Sequence, residues 1–282
     1  MPSTSKYQST INIQITVAKS ASRVQHAYLV TWLCLMFQYD GDETADTILI
    51  PSDDGLEKMS WQDLHFFYHR YITTFQILCR KQVRVGHLVD GGWEICEDDA
   101  YIPKKPCLVY SVGIANDFSF DDEIVERYGC DVHSFDPTIN QKDHLRGTQI
   151  HFHPIGLASR TGEESIGPVM TLEDIRTKFG HTNRPIDILK IDIEKMEWVV
   201  LPQMLKKGTL HDVRQIVMEL HIRMVYSFPK ERYTNFLVVL RQLYEAGYRI
   251  FQAKQNIYTV EKNKLGMAPF SRCQEVSFIK IV

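Results

Sequence analysis

Glycine, acidic and histidine residues recur at the points where short apolar runs of this sequence end. In chain order, these positions are Gly113, Asp136, Gly156, Asp192 with Glu194 just beyond it, and Glu219 with His221. The runs are short and apolar, which is typical of buried strands in a parallel sheet. Because a bare carboxylate inside a sheet is costly, acids gathered at strand ends indicate a functional site at one edge.

Helical segments separate the predicted strands. They cover residues 119–128, 171–179, 194–208 and 230–247. This alternation predicts an α/β fold with a mostly parallel, Rossmann-like sheet, in which ligands bind beyond the carboxyl ends of the strands. We expect Gly180 to end the second helix and Pro202 to bend or divide the third.

The composition is that of a globular protein and excludes some functions. The 282 residues carry a net charge of −3 without a basic run, which argues against nucleic-acid binding. The six cysteines form no C-x-x-C pair. Cys79, Cys96 and Cys107 are close enough in sequence for a disulfide in an oxidising compartment, and buried free thiols are the alternative.

The N-terminal part of the chain differs from the rest. Residues 1–57 are predicted as a separate segment, in which 1–25 are polar and disordered and "PSDDG" at 51–55 is a linker. The apolar run 27–37 is either a signal-anchor-like targeting segment or a packed helix, and it provides the only expected membrane contact. It favours the secretory pathway over the cytoplasm.

Residues 58–282 are predicted as one domain. It consists of an N-terminal helical extension over 58–105 and a Rossmann-like core over 106–282. The extension begins with a helix that Ser60 and Asp63 cap. Glycines then indicate a strand with tight turns.

Gly113 and Asp136 suggest a nucleoside site. A glycine after the first strand and an acid 23 residues later match the arrangement in which the acid binds ribose hydroxyls. The intervening helix begins among four acids, Asp117, Asp121, Asp122 and Glu123. They would repel a pyrophosphate but suit the cationic S-adenosylmethionine, which favours this cofactor over NAD. Alternatively, the acids only cap the helix, with Ser119 and Asp122 as a capping box.

Several stretches also resemble a known enzyme family. "PIDILKIDIEKMEW" is similar to the signature of the FkbM-type S-adenosylmethionine-dependent methyltransferases. "VRVGHLVDGGWEIC", "LVYSVGIANDFSFDDEI", "CDVHSFDPT" and "CQEVSFIKIV" resemble the methyltransferase-like protein 24 group more closely. The resemblance extends from about Leu78 to the C terminus.

This resemblance implies a class I methyltransferase fold of seven strands, the last antiparallel, with S-adenosylmethionine as cofactor. Gly113 would hold the methionine part of the cofactor and Asp136 its ribose. The full set of candidate cofactor residues is Ser111, Gly113, Asn116, Asp117, Asp136 and Gly156. The glycine-rich loop is incomplete, because Ala115 and Asp117 stand where glycines would be and Ser111 replaces an acid. Lys195 also stands where many relatives have glycine.

Asp192, Glu194 and His221 are the candidate catalytic residues. They follow the fourth and fifth strands, which border the acceptor pocket in this fold, and one of them would act as a general base. The predicted reaction is O-methylation of a small molecule or glycan. The alternatives are a non-catalytic binding or scaffold protein on a degenerate methyltransferase fold and an NAD-linked oxidoreductase.

No metal site is predicted from the sequence. His65 and His69 lie one helical turn apart, and His151 and His153 share one face of a strand. Neither pair has an acidic third ligand at the spacing of a known metal motif.

Overall fold

The computed structural model describes residues 48–222, 230–261 and 270–281. The predicted disordered region 1–25 and the apolar run 27–37 lie outside the described residues. Within the described part of the chain, no helix combines the length and apolar character that a membrane span requires.

The described chain contains fifteen strands and six α-helices. The strands are β1 (Gln82–Gly86), β2 (Gly92–Cys96), β3 (Leu108–Val112), β4 (Asp131–Phe135), β5 (His144–Arg146), β6 (Ile150–His153), β7 (Gly156–Leu157), β8 (Gly162–Glu164), β9 (Gly167–Met170), β10 (Ile186–Ile191), β11 (Val213–His221), β12 (Tyr248–Gln255), β13 (Val260–Glu261), β14 (Phe270–Ser271) and β15 (Cys273–Lys280). The helices are α1 (Asp53–Lys58), α2 (Trp61–Ile72), α3 (Ser119–Tyr128), α4 (Leu172–Lys178), α5 (Glu197–Lys207) and α6 (Lys230–Glu245).

Eight strands form the central sheet, in the order β12-β15-β11-β10-β3-β4-β6-β5. The pairs from β11 to β6 are parallel, whereas β15 runs antiparallel to both β11 and β12. The predicted α/β class and the antiparallel last strand are thus confirmed. The expected number of seven strands is wrong by one, because β5 adds an antiparallel edge strand that pairs with β6. At three residues, β5 is too short to show a periodic pattern.

Two helix ends agree with the prediction from the sequence, whereas the predicted division of one helix is wrong. Gly180 adopts φ +73° directly after Phe179, the C-cap of α4, so the predicted helix end is confirmed. Ser60 accepts the Asp63 N–H at 3.1 Å, so it caps α2 as predicted. Pro202 lies inside α5, which is one continuous helix and is not divided.

The folded domain begins earlier than the sequence suggested. "PSDDG" is not a linker, because Ser52 caps α1 and the acids Asp53 and Asp54 occupy its first turn. Leu56 of this helix is fully buried in the main core. Arg241 of α6 also binds the α1 segment through Asp53. Residues 48–57 therefore pack with the domain, and α1 is too short to give a clear hydrophobic period.

The hairpin of β1 and β2 lies against the central sheet. The Gln215 side chain on β11 accepts the Cys96 N–H and donates to the Cys96 carbonyl. There are two disulfides: Cys79–Cys96 lies within the extension, and Cys107–Cys130 joins the residues that directly precede β3 and β4. The sequence left open whether these cysteines form disulfides or are buried free thiols, and the structure has disulfides. The partner of Cys107 was missed, because Cys130 is distant in sequence and adjacent only through strand pairing.

Candidate functional site

The carboxyl ends of β3, β4, β10 and β11 bring the predicted residues to one edge of the sheet. The Gly113 N–H donates to the Phe135 carbonyl at 2.8 Å, which joins the ends of β3 and β4. The Asp192 N–H donates to the Val112 carbonyl at 3.0 Å, which places the end of β10 on the other side. Gly113 and Asp136 are therefore close neighbours, as a nucleoside site requires.

Residue 113 has to be glycine because the backbone at the end of β3 lies directly against the backbone that follows β10. Its φ is +73°, and a Cβ at this position would lie 1.6 Å from the Asp192 carbonyl oxygen. The space that a Gly113 side chain would occupy is filled by the turn after β10. The contact of Gly113 with the methionine part of the cofactor, which the resemblance implies, stays a prediction.

The loop after Gly113 has left-handed backbone without glycine. Ala115 and Asn116 adopt φ +46° and +66°, a region that asparagine tolerates and alanine disfavours. The carboxylate of Asp136 stabilises this loop by accepting the Ala115 N–H at 2.8 Å. Its other oxygen accepts the N–H and hydroxyl of Thr138. Asp136 thus holds the loop in its conformation through these hydrogen bonds, and its contact with a ribose stays a prediction.

The loop suits a cofactor without phosphate. The N–H groups of Gly113, Ala115 and Asp117 all donate within the protein, to Phe135, Asp136 and Ile114 respectively. A pyrophosphate site needs such N–H groups free and an electropositive helix start. Here these amides are occupied and the helix start is acidic, so the donor set fits the cationic S-adenosylmethionine better than NAD.

Asp117 and Asn116 connect the loop to its surroundings. Asp117 accepts the Ser119 N–H at 2.9 Å and lies 3.4 Å from the His87 ring on the β1–β2 turn. Asn116 accepts a hydrogen bond from Gln141 at 2.7 Å. The predicted capping box of Ser119 and Asp122 does not form, because Phe118 occupies the N-cap position without a side-chain bond.

A polar cleft of about 400 Å³ opens beside this loop. It is lined by His87, Asn116, Asp117, Phe118, Ser119, Asp122, Gln141, His144 and Arg146. Two predicted cofactor residues, Asn116 and Asp117, therefore line accessible space. Arg146 of β5 pairs with Asp122 at 2.7 Å, so the extra edge strand forms part of the wall.

Two other predicted cofactor residues are buried. Ser111 is fully buried in β3 opposite Ser134, which donates to the buried Asp121 at 3.1 Å. The predicted contact of Ser111 with the cofactor is corrected, because a side chain without exposure does not touch a ligand. Gly156 is also buried, where an added Cβ would lie 3.0 Å from Pro137, directly after Asp136.

The predicted catalytic residues form one cluster around His221. The Nε2 atom of this buried ring lies 3.1 Å from Glu219 and 3.8 Å from both Asp192 and Glu194. The Nδ1 atom lies 3.0 Å from Glu197, whose side chain is completely buried. The structure thus brings the three predicted catalytic residues together.

His221 does not fit the role of general base. Burial alone lowers the pKa of its ring, but hydrogen bonds with Cys273, Glu197 and Glu219 raise the pKa well above the usual value. Both ring nitrogens lie beside carboxylates, so the ring is not free to take a proton from an acceptor hydroxyl. The base role predicted for His221 is therefore corrected to that of a buried group bound by carboxylates.

Asp192 differs from its neighbours in being both perturbed and accessible. Burial, followed by the nearby charge of Glu219, raises the pKa of Asp192 to about 7, against the opposing effect of Lys190. Its side chain is 31% exposed. Glu194 is far more exposed and adopts φ +53°, and Lys195 follows at φ +84°. The turn after β10 is therefore strained at two non-glycine residues.

Sequence reasoning missed three members of this site. Glu197 holds the His221 ring, and Cys273 lies directly opposite His221 in the β11–β15 pairing. Lys190 donates to the Gly113 carbonyl at 3.0 Å and so links β10 to the loop. The third acid of "DIEKME" was a signal for Glu197, but the position of Cys273 depends on strand pairing alone.

Comparison with known proteins identifies the family. A family model described as "Methyltransferase domain" matches residues 49–280. The "Probable methyltransferase-like protein 24" of Homo sapiens is 25% identical over 226 residues, covering 73% of this chain and 60% of the relative. The protein of that name from Rattus norvegicus is 29% identical over 168 residues, covering 54% and 46%. The chain thus spans about half to three fifths of the length of these curated relatives.

Solved structures show weaker likeness. A fibrillarin pre-rRNA processing protein of Methanococcus jannaschii aligns with a TM-score of 0.36 and 10% identity, covering 63% of this chain and 67% of that one. A putative methyltransferase from Thermoplasma acidophilum aligns with a TM-score of 0.32 and 10% identity, covering 63% and 69%. At such low TM-scores these likenesses carry no argument.

The family match confirms the resemblance to the methyltransferase-like protein 24 group and the expected cofactor. The FkbM-type label is not confirmed. The match covers nearly all of the described chain, from α1 to the end of β15. The chain therefore belongs to the methyltransferase-domain family, and its cofactor is S-adenosylmethionine.

Proposed function

We propose that this chain is an S-adenosylmethionine-dependent methyltransferase that methylates a hydroxyl oxygen of a small molecule or glycan. One observation carries the proposal. The edge of the sheet that holds the acidic loop after β3, whose N–H groups are already hydrogen-bonded, also holds Asp192 and Glu194. A cationic donor and a neutral polar acceptor both suit such a surface. The bound cofactor supplies an activated methyl group on sulfonium.

Asp192 is the residue that we assign to the acceptor. It follows β10 at the edge that also holds the loop, and its carboxylate is partly accessible while His221 lies behind it. It would hydrogen-bond the acceptor hydroxyl, orient its oxygen and take up its proton. Glu194, which is exposed at the rim, would contact other hydroxyl groups of the acceptor.

The loop residues would bind the donor. Asn116 and Asp117 line the cleft, and Asp136 keeps the loop in its left-handed form. We infer that Asp117 and Asn116 contact the cofactor directly. Asp136 retains one acceptor position on the oxygen that Ala115 binds, which is where a ribose hydroxyl would donate.

Donor binding and methyl transfer require separate experiments. Calorimetry with S-adenosylhomocysteine tests the site, and we expect a saturable heat that Asp117→Ala weakens. Incubation with labelled donor and fractionated cell extract tests turnover. Asp192→Asn should bind the cofactor normally but lose most label transfer, whereas Asp99→Asn, on a side chain 92% exposed, should leave both unchanged.

Two outcomes would contradict the proposal. Absence of binding heat at millimolar ligand would remove the donor site. Donor binding without transfer to any fraction, including isolated glycans, would favour the alternative of a non-catalytic binding protein on this fold.

We also propose that the chain functions in the secretory pathway. The two disulfides support this compartment, because such bonds persist under oxidising conditions and are rare in the cytosol. Fractionation of cells with an antibody against the chain would test the location. Recovery in the cytosolic fraction with reduced cysteines would contradict it.

A further inference from the structure

The cluster around His221 has the composition and orientation of a metal site. We propose that Glu219, His221 and Cys273 bind a divalent transition metal, best matched by Zn²⁺, with Asp192 facing the metal. One ligand atom of each of the three residues lies within 4.8 Å of the other two. The set combines nitrogen, oxygen and sulfur donors, which zinc binds in tetrahedral sites. Calcium and magnesium prefer oxygen donors throughout.

Strand pairing creates the site. Glu219 and His221 lie two residues apart on β11, so their side chains share one face of the sheet. Cys273 is the direct partner of His221 on the antiparallel strand β15. The ligands thus come from rigid, adjacent positions, although Cys273 lies more than fifty residues after the other two in sequence.

The orientation of His221 is the second, independent observation. Glu197, which is fully buried, binds the Nδ1 atom at 3.0 Å, and its carboxylate is fixed by the Ile193 N–H. A metal-binding histidine almost always donates its other ring N–H to a carboxylate or carbonyl in this way. The contact leaves Nε2 directed at Glu219. The second oxygen of Glu197 is also buried without a partner among the described residues.

The distances suit a metal bound between the ligands. Two ligand atoms at ordinary zinc distances and a tetrahedral angle lie about 3.3 Å apart. The Nε2 atom of His221 and the Glu219 oxygen are 3.1 Å apart. This pair would therefore need little movement to bind a metal, and the Cys273 thiol, within 4.8 Å of both atoms, would have to approach them. Metal binding would displace the proton shared by these two atoms and the thiol proton of Cys273, and both protons would pass to solvent.

The charges around the ring also favour a cation. Four carboxylates, those of Asp192, Glu194, Glu197 and Glu219, lie within 3.8 Å of one imidazole. Glu219 and Glu197 are buried, and buried negative charge without compensation is costly. A divalent cation would offset this excess.

The position of Asp192 gives the metal a role, which rests on the proposed function. Its oxygen lies 3.8 Å from Nε2, and the side chain is partly exposed. A metal beside it would keep an open position for an acceptor hydroxyl, polarise that oxygen and make its proton easier to remove. Cys273 is only partly buried, so the site has a path to solvent.

Metal binding can be tested without donor or acceptor. The full chain is stripped of metal, and Co²⁺ alone or Zn²⁺ alone is added. We expect one equivalent of Co²⁺ to produce thiolate-to-cobalt charge-transfer absorption, and Zn²⁺ to abolish it by displacement. Cys273→Ser should lose this absorption. Cys34→Ser, which changes a cysteine outside the described residues, is the matched control and should retain it.

Further variants separate direct ligands from positioning residues. His221→Gln should abolish zinc binding in a dialysis assay, whereas His211→Gln, on an exposed histidine, should not. Glu197→Gln should weaken zinc binding by roughly tenfold, as loss of an outer-shell carboxylate does. If His221→Gln does not fold, Cys273→Ser with a normal circular-dichroism spectrum decides the question.

Two results would overturn the inference: absence of charge-transfer absorption at equimolar Co²⁺, or the same absorption in folded Cys273→Ser. Zinc binding in a chain that does not bind S-adenosylhomocysteine would instead contradict the proposed function while supporting the metal site. The two proposals can therefore fail separately.

Discussion

Substitution of Gly113 by alanine tests whether the close contact between the ends of β3 and β10 requires glycine at this position. The new Cβ would lie 1.6 Å from the Asp192 carbonyl oxygen, whereas real Cβ contacts essentially never fall below 3.0 Å. One of the two backbone segments would have to move by about 1.4 Å to restore an ordinary contact distance. This displacement would break the bond between the Asp192 N–H and Val112 and would move Asp192 within the site.

The matched control is Gly180→Ala. Gly180 has the same φ of +73°, but an added Cβ would meet no atom within 4 Å. Both variants carry the cost of a left-handed non-glycine residue, about 1–2 kcal/mol. Gly113→Ala adds a steric cost of about 1–3 kcal/mol or more, as overpacking does. We therefore expect a loss of about 2–5 kcal/mol for Gly113→Ala and of about 1–2 kcal/mol for Gly180→Ala.

Urea unfolding measures the difference in unfolding free energy between the two variants. The comparison requires that the slope of this free energy against urea concentration is the same in both. Calorimetry with S-adenosylhomocysteine is the second readout, and Gly113→Ala should weaken binding while Gly180→Ala should not. Free energies of unfolding that agree within about 0.5 kcal/mol for the two variants would refute the reasoning. Gly113 would then be needed only for its backbone angle.

Three further predictions concern strain, pH and the disulfides. Lys195→Gly should stabilise the fold by about 0.5–1 kcal/mol in urea unfolding, because it relieves a left-handed lysine, whereas Lys195→Ala keeps the Cβ and should give no gain. Burial and the neighbouring residues His181, His153 and His151 lower the pKa of His133 to about 2. The unfolded chain therefore binds more protons, and stability present above pH 6.5 should fall by up to about 1.4 kcal/mol per unit as the pH drops. His133→Phe should make the slope of unfolding free energy against pH shallower, and an unchanged slope would contradict the assignment. Reduction of Cys79–Cys96 and Cys107–Cys130 should cost about 3 kcal/mol for each bridge, and an unchanged melting temperature of fully reduced protein would contradict this.

The pattern of strands and helices was readable from the sequence because it depends on local periodicity. "CLVYSVG" and "IDILKID" are mostly apolar, and the strands they form are buried on both faces. Short elements were missed for the same reason. The three residues of β5 and the six of α1 contain too little periodic pattern to show which face is buried.

The loop after β3 shows how a local rule can be misread. The missing glycines suggested a degenerate cofactor loop. In the structure, Ala115 and Asn116 adopt left-handed backbone without glycine, and Asp136 stabilises it through the Ala115 N–H. That compensation comes from the end of the next strand, and no local propensity could indicate it.

The sequence by itself determined the α/β class, the acidic edge of the sheet and the residues Gly113, Asp136, Asp192 and His221 that mark it. These features follow from apolar periodicity and from the rule that charged groups stand at the ends of buried strands. Only the tertiary structure decided how these residues interact. The first turn of α5 lies beside the end of β11 and places Glu197 on His221, and antiparallel pairing places Cys273 opposite that residue. Such contacts join residues far apart in sequence, where register and burial set the partners.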